Sequence, residues 1–390
     1  MYLKYLHLRQ FRNYRDQQVE FDGGKTILLG DNAQGKSNLL ESVELLSTLK
    51  SHRAIRDRDL ILDSKQASKI QASLERQLGN IDLALTLRSQ GKRTVAVNGE
   101  TISRHLDFLS ILNVVHFSSL DLDLVRGGPE VRRYWLDRLL VQLEPVYAHI
   151  LLQYNQVLRQ RSALLKKIRQ QKMAAETTGS LPSILAQELA LWDAQLATVG
   201  SRVIRRRQRL LQKLAPLAGE WHCAISGSME VFKMEYLANV IVDSNELIIQ
   251  DSLEGVRQAF LDKIKARAIA EQYQGTTVVG PHRDDVIFTI NDTPARQYGS
   301  QGQQRTLVLA LKLAELQLIE EVVQEPPLLL LDDVLAELDL HRQNQLLEAI
   351  SNRFQTLITT THLGCFDGQW LQDTQILSVK SGNISSFLDF

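Results

Sequence analysis

The sequence predicts an α/β fold: a mixed sheet flanked by helices, an antiparallel β layer beside it, and a helical lobe inserted into the middle of the chain. Three stretches carry that reading. Gly30-Asp31-Asn32-Ala33-Gln34-Gly35-Lys36-Ser37 is a complete G-x-x-x-x-G-K-[ST] phosphate loop. It stands between an apolar run, Thr26 to Leu29, and a helical apolar face at Leu39, Leu40, Val43 and Leu46. Far downstream, Pro326-Pro327 and four leucines end in Asp332-Asp333, which suits a strand buried on both faces of a parallel sheet. From Pro129 the composition turns to Leu, Gln, Arg and Lys at helical spacing. The predicted units are an N-terminal part of the head over 1–128, a helical lobe with an antiparallel helix hairpin over 129–272, and a C-terminal part of the head over 273–390.

Taken in order, Met1 to Phe21 alternates apolar and polar residues. It reads as two strands around a turn at Arg12-Asn13-Tyr14-Arg15, next to the strand before the phosphate loop. Ser51 to Asp59 is a charge-rich loop, expected to be mostly solvated surface. Ile70–Leu74, Ile81–Leu87 and Thr94–Val97 alternate with period two, with Gly91-Lys92 and Asn98-Gly99 as turns, which predicts an antiparallel sheet. Val131–Leu143, Val146–Lys172 and Leu181–Leu214 read as helices, set off by the loop around Thr177-Thr178-Gly179-Ser180 and by Pro216. Two of them form a short hairpin with no cysteine hook at its tip. Ser228 to Gln272 is a weaker α+β stretch. The sheet is expected to resume at Thr276–Val279, before Gly280-Pro281-His282-Arg283-Asp284-Asp285 and a hairpin over Val286–Ile290 that turns at Asn291-Asp292.

The chemistry follows from residue type and position. Gly30 and Gly35 let the backbone curl so that its amides, with the dipole of the following helix, make an anion site. Residues Asp31, Asn32, Ala33, Gln34 and Asn38 complete the candidate ATP site. Lys36 would neutralise the β/γ-phosphates, and Ser37 with Asp332 would hold Mg²⁺. Asp333 stands where it could polarise an attacking water. Ser300 can cap the helix carrying Leu307, Ala310, Leu311, Ala314 and Leu318, and Gly302 admits an anion near its positive end. Among the many basic residues of the lobe, Arg202, Arg205, Arg206 and Arg209 fall on one helical face. That stripe is either a solvated face or a surface for duplex phosphates; no aromatic residues interleave it as single-strand stacking would require.

Composition bounds the rest. At 390 residues, 44% hydrophobic and 23% charged, the chain has material for two or three globular domains. Its net charge is zero, so nucleic acid would have to be held by local basic patches. Cys223 and Cys365, the two cysteines, form no C-x-x-C, which argues for a reducing compartment and against structural zinc. No signal peptide and no spanning segment is legible, and the expected location is cytoplasmic, with no membrane partner.

The Gly-x-Asn-x-x-Gly-Lys-Ser loop, Ser300-Gln301-Gly302-Gln303, the leucines before Asp332-Asp333, and Ala336-Glu337-Leu338-Asp339 together resemble the ABC-type P-loop ATPase heads of the SMC class. More narrowly, several further stretches resemble the bacterial RecF family over nearly the whole chain. They are Phe11-Arg12-Asn13-Tyr14, Arg132-Arg133 with Asp137, Gly280 to Asp285, Tyr298 to Thr306, and Leu331-Asp332-Asp333-Val334.

The resemblance implies a head-to-head homodimer that sandwiches two ATPs, with Ser300, Gln301, Gly302 and Gln303 acting in trans on the nucleotide of the other subunit. It implies a clamp on double-stranded DNA near gaps or single-strand/double-strand junctions, and slow, DNA-stimulated, switch-like hydrolysis. Its partners would be RecO- and RecR-like proteins and, indirectly, a RecA-like recombinase. His362 falls where such ATPases carry a switch histidine, and a structural role for it stays open. Many ABC ATPases place Glu where this chain has the shorter Asp333, which puts the assignment as general base in doubt. The alternative is an ABC ATPase subunit that powers a membrane transporter.

Overall fold

The computed structural model describes residues 1–174, 183–227, 229–240, 252–350, 353–364, 366 and 368–386. The expected hairpin tip at Thr177–Ser180, the first residues of the helix expected from Leu181, and Cys365 lie outside them. The chain opens with the hairpin β1 (Tyr2–Phe11) and β2 (Tyr14–Glu20), then β3 (Lys25–Leu29) and α1 (Lys36–Thr48). The strands β4 (Ala67–Arg76), β5 (Gly79–Arg88), β6 (Thr94–Val97), β7 (Glu100–Ile102) and β8 (Val114–Ser118) follow. Next come α2 (Pro129–Leu143), α3 (Val146–Ala174), α4 (Ser183–Ser226), β9 (Phe232–Leu237) and α5 (Leu253–Gln274). The last part holds β10 (Asp285–Ile290), β11 (Thr293–Pro294), α6 (Gln301–Val323), β12 (Leu328–Asp332), α7 (Leu340–Ile350), β13 (Thr356–Thr360), β14 (Gln375–Lys380) and β15 (Asn383–Ser386).

The central sheet has the order β15-β14-β3-β13-β12-β8, parallel except for β15. Its strands feed two cores through alternate residues. Leu28, Leu328, Leu330 and Leu357 face the core shared with α1 and the antiparallel sheet β2-β1-β4-β5-β6-β7. Ile27, Leu329, Leu331 and Ile358 face the core built by α2, α4 and α6. A strand apolar at every position is the consequence of burial on both faces. A third sheet, β11-β10-β9, joins the stretch after the lobe helices to the expected hairpin; Asn291 and Asp292 turn it with φ of 50° and 60°, the primed turn that a hairpin twist favours.

Three expectations need correction. β1 and β2 do not pair with the phosphate-loop strand, because both edges of β3 are taken by β13 and β14 from the C-terminal end of the chain. Thr276–Val279 is not a strand: its alternation arises because Thr277 and Val279 turn inward, where the Thr277 hydroxyl accepts from Arg161 at 3.0 Å. Pro216 does not end a helix; α4 runs through it to Ser226. Losing one backbone donor inside a helix costs about 3 kcal/mol. Burial of Leu210, Leu211, Leu214 and Ile225 on the same helix offsets that, at roughly 1.5–3 kcal/mol per large side chain.

Ion pairs and hydrogen bonds hold the helices of residues 129–272 to one another and to the stretch Gly280–Asp285. Arg132 grips Asp285 with two bonds of 2.7 and 3.0 Å, and Arg133 donates to the Asp284 carbonyl at 2.6 Å. Arg207 grips Asp137 through two bonds of 2.9 Å and donates to the Pro281 carbonyl at 2.7 Å. Tyr236 and the Asn239 amide satisfy Asp284. Gly280 has φ of 131°, and a Cβ there would meet Tyr154 Oη at 2.7 Å and Phe260 at 2.8 Å. The stretch Gly280–Asp285 therefore works as a lock between lobe and head.

His282 belongs to that lock. The Tyr154 hydroxyl donates to its Nδ1 at 2.6 Å and its Nε2–H faces the Thr277 carbonyl at 3.2 Å, partners that assign a neutral ring. Burial pushes its pKa down to about 4; the Thr277 carbonyl pulls upward, and Arg283, Arg133 and Arg161 reinforce burial. Between the ordinary value of 6.5 and about 4 the unfolded chain binds the proton that the folded chain refuses. Stability should therefore fall as pH drops through that window, by on the order of 3 kcal/mol from this group. Urea unfolding of the wild type and His282→Asn at steps from neutral to acid pH checks it: the variant should start less stable and show a flatter slope.

Candidate nucleotide site

Three parallel strands deliver the site. β13 lies between β3 and β12, with Thr360 opposite Leu29 and Thr359 opposite Asp332. Their carboxyl ends align on one edge, where ligands of such sheets gather. Gly30–Ser37 leaves β3 there, Asp332-Asp333 closes β12, and Thr361-His362 follows β13.

The loop is shaped by close approaches. A Cβ on Gly30 would stand 2.3 Å from the Val379 carbonyl oxygen, and one on Gly35, whose φ is 121°, would stand 2.6 Å from Asn13 Nδ2. Lys36 is 4% exposed and folds back so that Nζ donates to the carbonyls of Gly30 at 2.8 Å and Asp31 at 3.0 Å. A phosphate oxygen offers that ammonium a stronger acceptor than a neutral carbonyl. Ser37 Oγ donates to Asp332 Oδ1 at 2.7 Å across 295 residues of sequence. Neighbouring ligands on an octahedral Mg²⁺ stand about 3 Å apart, so these two hard oxygens fit that ion.

Thr359 completes the acidic end. Its hydroxyl donates to Asp332 Oδ1 at 2.8 Å and accepts from the Asp333 amide at 2.9 Å. Asp333 takes the left-handed conformation, φ 54°, which Asp tolerates better than most residues. Burial raises its pKa, Lys36 opposes that, and Asp332 adds to it. A carboxylate shifted upward beside a phosphate loop suits the orientation of a water. Thr359 is a residue that the motifs did not single out; its position at the end of β13, opposite Asp332, brings it to the site.

A second set of residues was quoted for the resemblance and had no assigned role. Asn13 Nδ2 donates to the Gln34 carbonyl at 2.9 Å, and its Oδ1 accepts from Asn38 at 2.8 Å. Tyr14 Oη donates to the Gly35 carbonyl at 2.9 Å. Arg12 holds Glu41 of α1 with two bonds of 2.9 and 2.8 Å, and the Gly382 amide donates to the Gln34 carbonyl at 2.9 Å. Phe11–Tyr14 thus braces the phosphate loop from behind.

The charge-rich loop is mostly exposed, as expected, yet several of its side chains tie it to α1 and β5–β6. Ser51 donates to Glu41 at 2.5 Å, His52 bonds Glu44, Arg53 reaches Asn38 at 3.2 Å, and Asp57 pairs with Arg93. Ser300 caps α6 in a capping box with Gln303, whose side chain also donates to Glu230 at 2.8 Å. Among the described residues, no hydrogen bond or ion pair joins Ser300–Gln303 to the phosphate loop. His362 is exposed, with Nδ1 3.1 Å from Thr361 Oγ1. Arg202, Arg205, Arg206 and Arg209 line one open groove of about 500 Å³ against α3. Arg206 also pairs with Glu144 at 3.1 Å. Arg161 and Arg207, basic neighbours in the sequence, are buried in ion pairs and leave that surface.

The RecF/RecN/SMC N terminal domain family matches residues 2–382. A "DNA replication and repair protein RecF" of Trichodesmium erythraeum (strain IMS101) is 98% identical over 390 residues, 100% of both chains. Its counterpart in Nostoc punctiforme (strain ATCC 29133 / PCC 73102) is 67% identical over 384 residues, 98% of this chain and 99% of the relative. The solved structure of the recombination mediator protein RecF-ATPrS in the RecFOR pathway superposes with a TM-score of 0.88 at 31% identity, covering 99% of this chain and 98% of that one. The Smc head domain of Pyrococcus yayanosii superposes with a TM-score of 0.55 at 14% identity, covering 99% of this chain and 97% of that one, which shows the same head fold. With an ABC-type ATPase head and full-length relatives of this kind, the chain belongs to the RecF family of DNA replication and repair proteins.

Proposed function

We propose that the chain is an ATP-driven clamp of recombinational repair and replication restart, with residues 1–128 and 273–390 as the head and 129–272 as the lobe. Its relatives are RecF proteins, one solved as RecF-ATP in the RecFOR pathway. The observation that carries the reading is the Ser37–Asp332 pair at 2.7 Å beside Lys36, a cation site next to a phosphate cradle. A transporter ATPase has no support among these relatives.

Gly30 to Asn38 bind the triphosphate through backbone amides and Lys36. Ser37 and Asp332 hold Mg²⁺, which when bound supplies charge neutralisation at the phosphate oxygens. Asp333 orients the attacking water, and its short, half-buried side chain suits slow turnover. Ser300, Gln301, Gly302 and Gln303 of a second copy close over the nucleotide. His362, just beyond the end of β13, senses the γ-phosphate. Closure by nucleotide is a population shift, because ATP touches both subunits only in the closed dimer. The groove of Arg202, Arg205, Arg206 and Arg209 takes duplex phosphates near a gap or junction. RecO- and RecR-like partners then load a RecA-like recombinase in the cytoplasm, and hydrolysis releases the clamp.

ATP turnover per monomer, measured against protein concentration with and without duplex DNA, tests the whole scheme. It should rise with both; turnover indifferent to both would end the clamp reading. Lys36→Ala should abolish ATP turnover. Ser300→Arg should leave ATP binding by the monomer and lose ATP-dependent dimers in light scattering. Asn13→Ala loses two bonds worth about 1 kcal/mol each, so ATP should bind roughly 5- to 30-fold more weakly by fluorescent-nucleotide titration. Neutralising Arg205, Arg206 and Arg209 should weaken duplex binding and lower its salt slope by about 2 to 3.

A further inference from the structure

Behind α1, away from the phosphate loop, three metal-ligating side chains converge. Glu44 of α1 is fully buried, His116 of β8 is 6% exposed, and His52 comes from the loop after α1. One donor atom from each lies within 4.8 Å of the others. The His52 and His116 rings stand 4.6 Å apart between centroids. An ordinary buried ion pair accounts for part of this: Arg138 Nη2 lies 2.7 Å from Glu44 Oε1, and His52 Nδ1 bonds Glu44 Oε2. It does not account for His116. That ring makes no hydrogen bond: Nδ1 is 3.8 Å from Glu44 Oε1, and Nε2 is buried without a partner.

We propose that Glu44, His52 and His116 form a binding site for a divalent transition-metal ion of the Zn²⁺ class. Two imidazoles and one carboxylate are a donor set for Zn²⁺ and disfavour Mg²⁺ or Ca²⁺, which want oxygen. Tetrahedral Zn²⁺ with bonds of about 2.0–2.2 Å places its ligands about 3.3 Å apart. The donor atoms here lie within 4.8 Å of one another, so the His52–Glu44 contact opens and the wider spacings close; His52 rides on a loop with a partly exposed side chain. The ion takes the place of the proton between those two groups, and that proton leaves to solvent. His116 Nε2, buried without a partner, is an unused ring nitrogen at the site. Arg138 keeps its hold on Glu44 Oε1 as an outer partner that orients the carboxylate, a common arrangement around metals. Asp121 also acts on the cluster, and the Tyr134 ring lies against Arg138 at 5.8 Å. The argument from sequence against zinc rested on cysteine spacing, and among the described residues the cluster is made of imidazole and carboxylate donors. Such an ion would pin the helix that carries Lys36 and Ser37 to the edge strand β8.

The test uses the full chain with Cys223→Ser, which removes an exposed thiol as a competing ligand. Metal-stripped protein is titrated with Zn²⁺ against a chromophoric chelator, and with Co²⁺ while visible absorption is followed. One equivalent of Zn²⁺, a raised thermal midpoint and the intense absorption of four-coordinate cobalt are expected, with affinity at least tenfold weaker in His116→Phe and in Glu44→Gln. Should His116→Phe fail to fold, His52→Ala, altered on the loop, decides with the same readouts. Absence of a stoichiometric site, weak six-coordinate cobalt absorption, or full affinity in a folded His116→Phe or His52→Ala would overturn the proposal.

Discussion

The head depends on the parallel seating of β13 between β3 and β12. That pairing places Thr359 opposite Asp332 and Thr360 opposite Leu29, so one hydroxyl can serve both acidic residues while the phosphate loop lies one strand away. Parallel neighbours cannot be joined by a hairpin, and every connection between them is a crossover. Four strands of the antiparallel layer, β4 to β7, and the helices α2 to α5 lie in the chain between β3 and β12. The two halves of the candidate site are therefore far apart in sequence and adjacent in space because of one register.

The polar residues around the phosphate loop and the Gly280–Asp285 stretch divide into two kinds. Lys36, Ser37 and Asp332 face the cradle. Arg12, Asn13, Tyr14, Arg132, Arg133, Asp137, Arg207 and Asp284 hold elements in place. Burying charges is expensive, and a paired guanidinium and carboxylate in low dielectric returns that cost only when the geometry is good and the remaining donors are satisfied. Arg207 meets the condition with two bonds to Asp137 and one to Pro281, and Arg161 with Asp193, Thr277 and Glu271. These contacts hold the helices of residues 129–272 to one another and, through Thr277 and Pro281, to the stretch that precedes β10.

The same bracing shapes α1. Glu41 and Glu44 sit on a helix that is buried on nearly every side, and each is matched by a basic or imidazole group from another element. The helix that carries Lys36 and Ser37 is thus anchored by charge at two levels, at Arg12 near its start and at Arg138 and His52 further along.

The sequence by itself determined the α/β head, the phosphate loop, the leucine strand ending in Asp332-Asp333, the capped helix at Ser300 and the antiparallel β4 to β6. All of these are written in local spacing: a period of two, a period of 3.6, or a fixed motif. What is non-local was decided by the tertiary structure. Pro216 stays helical because Leu210, Leu211 and Leu214 are buried beside it. Thr276–Val279 alternates because it packs under Arg161, without a ladder partner. Thr359, Asn13 and His116 meet side chains and backbone groups 26 or more, 21 or more and 64 or more positions away. A side chain's local sequence carries its own preference and nothing about which strand will lie beside it. Pairing across the sheet, and the desolvation that comes with it, assigns those residues their work.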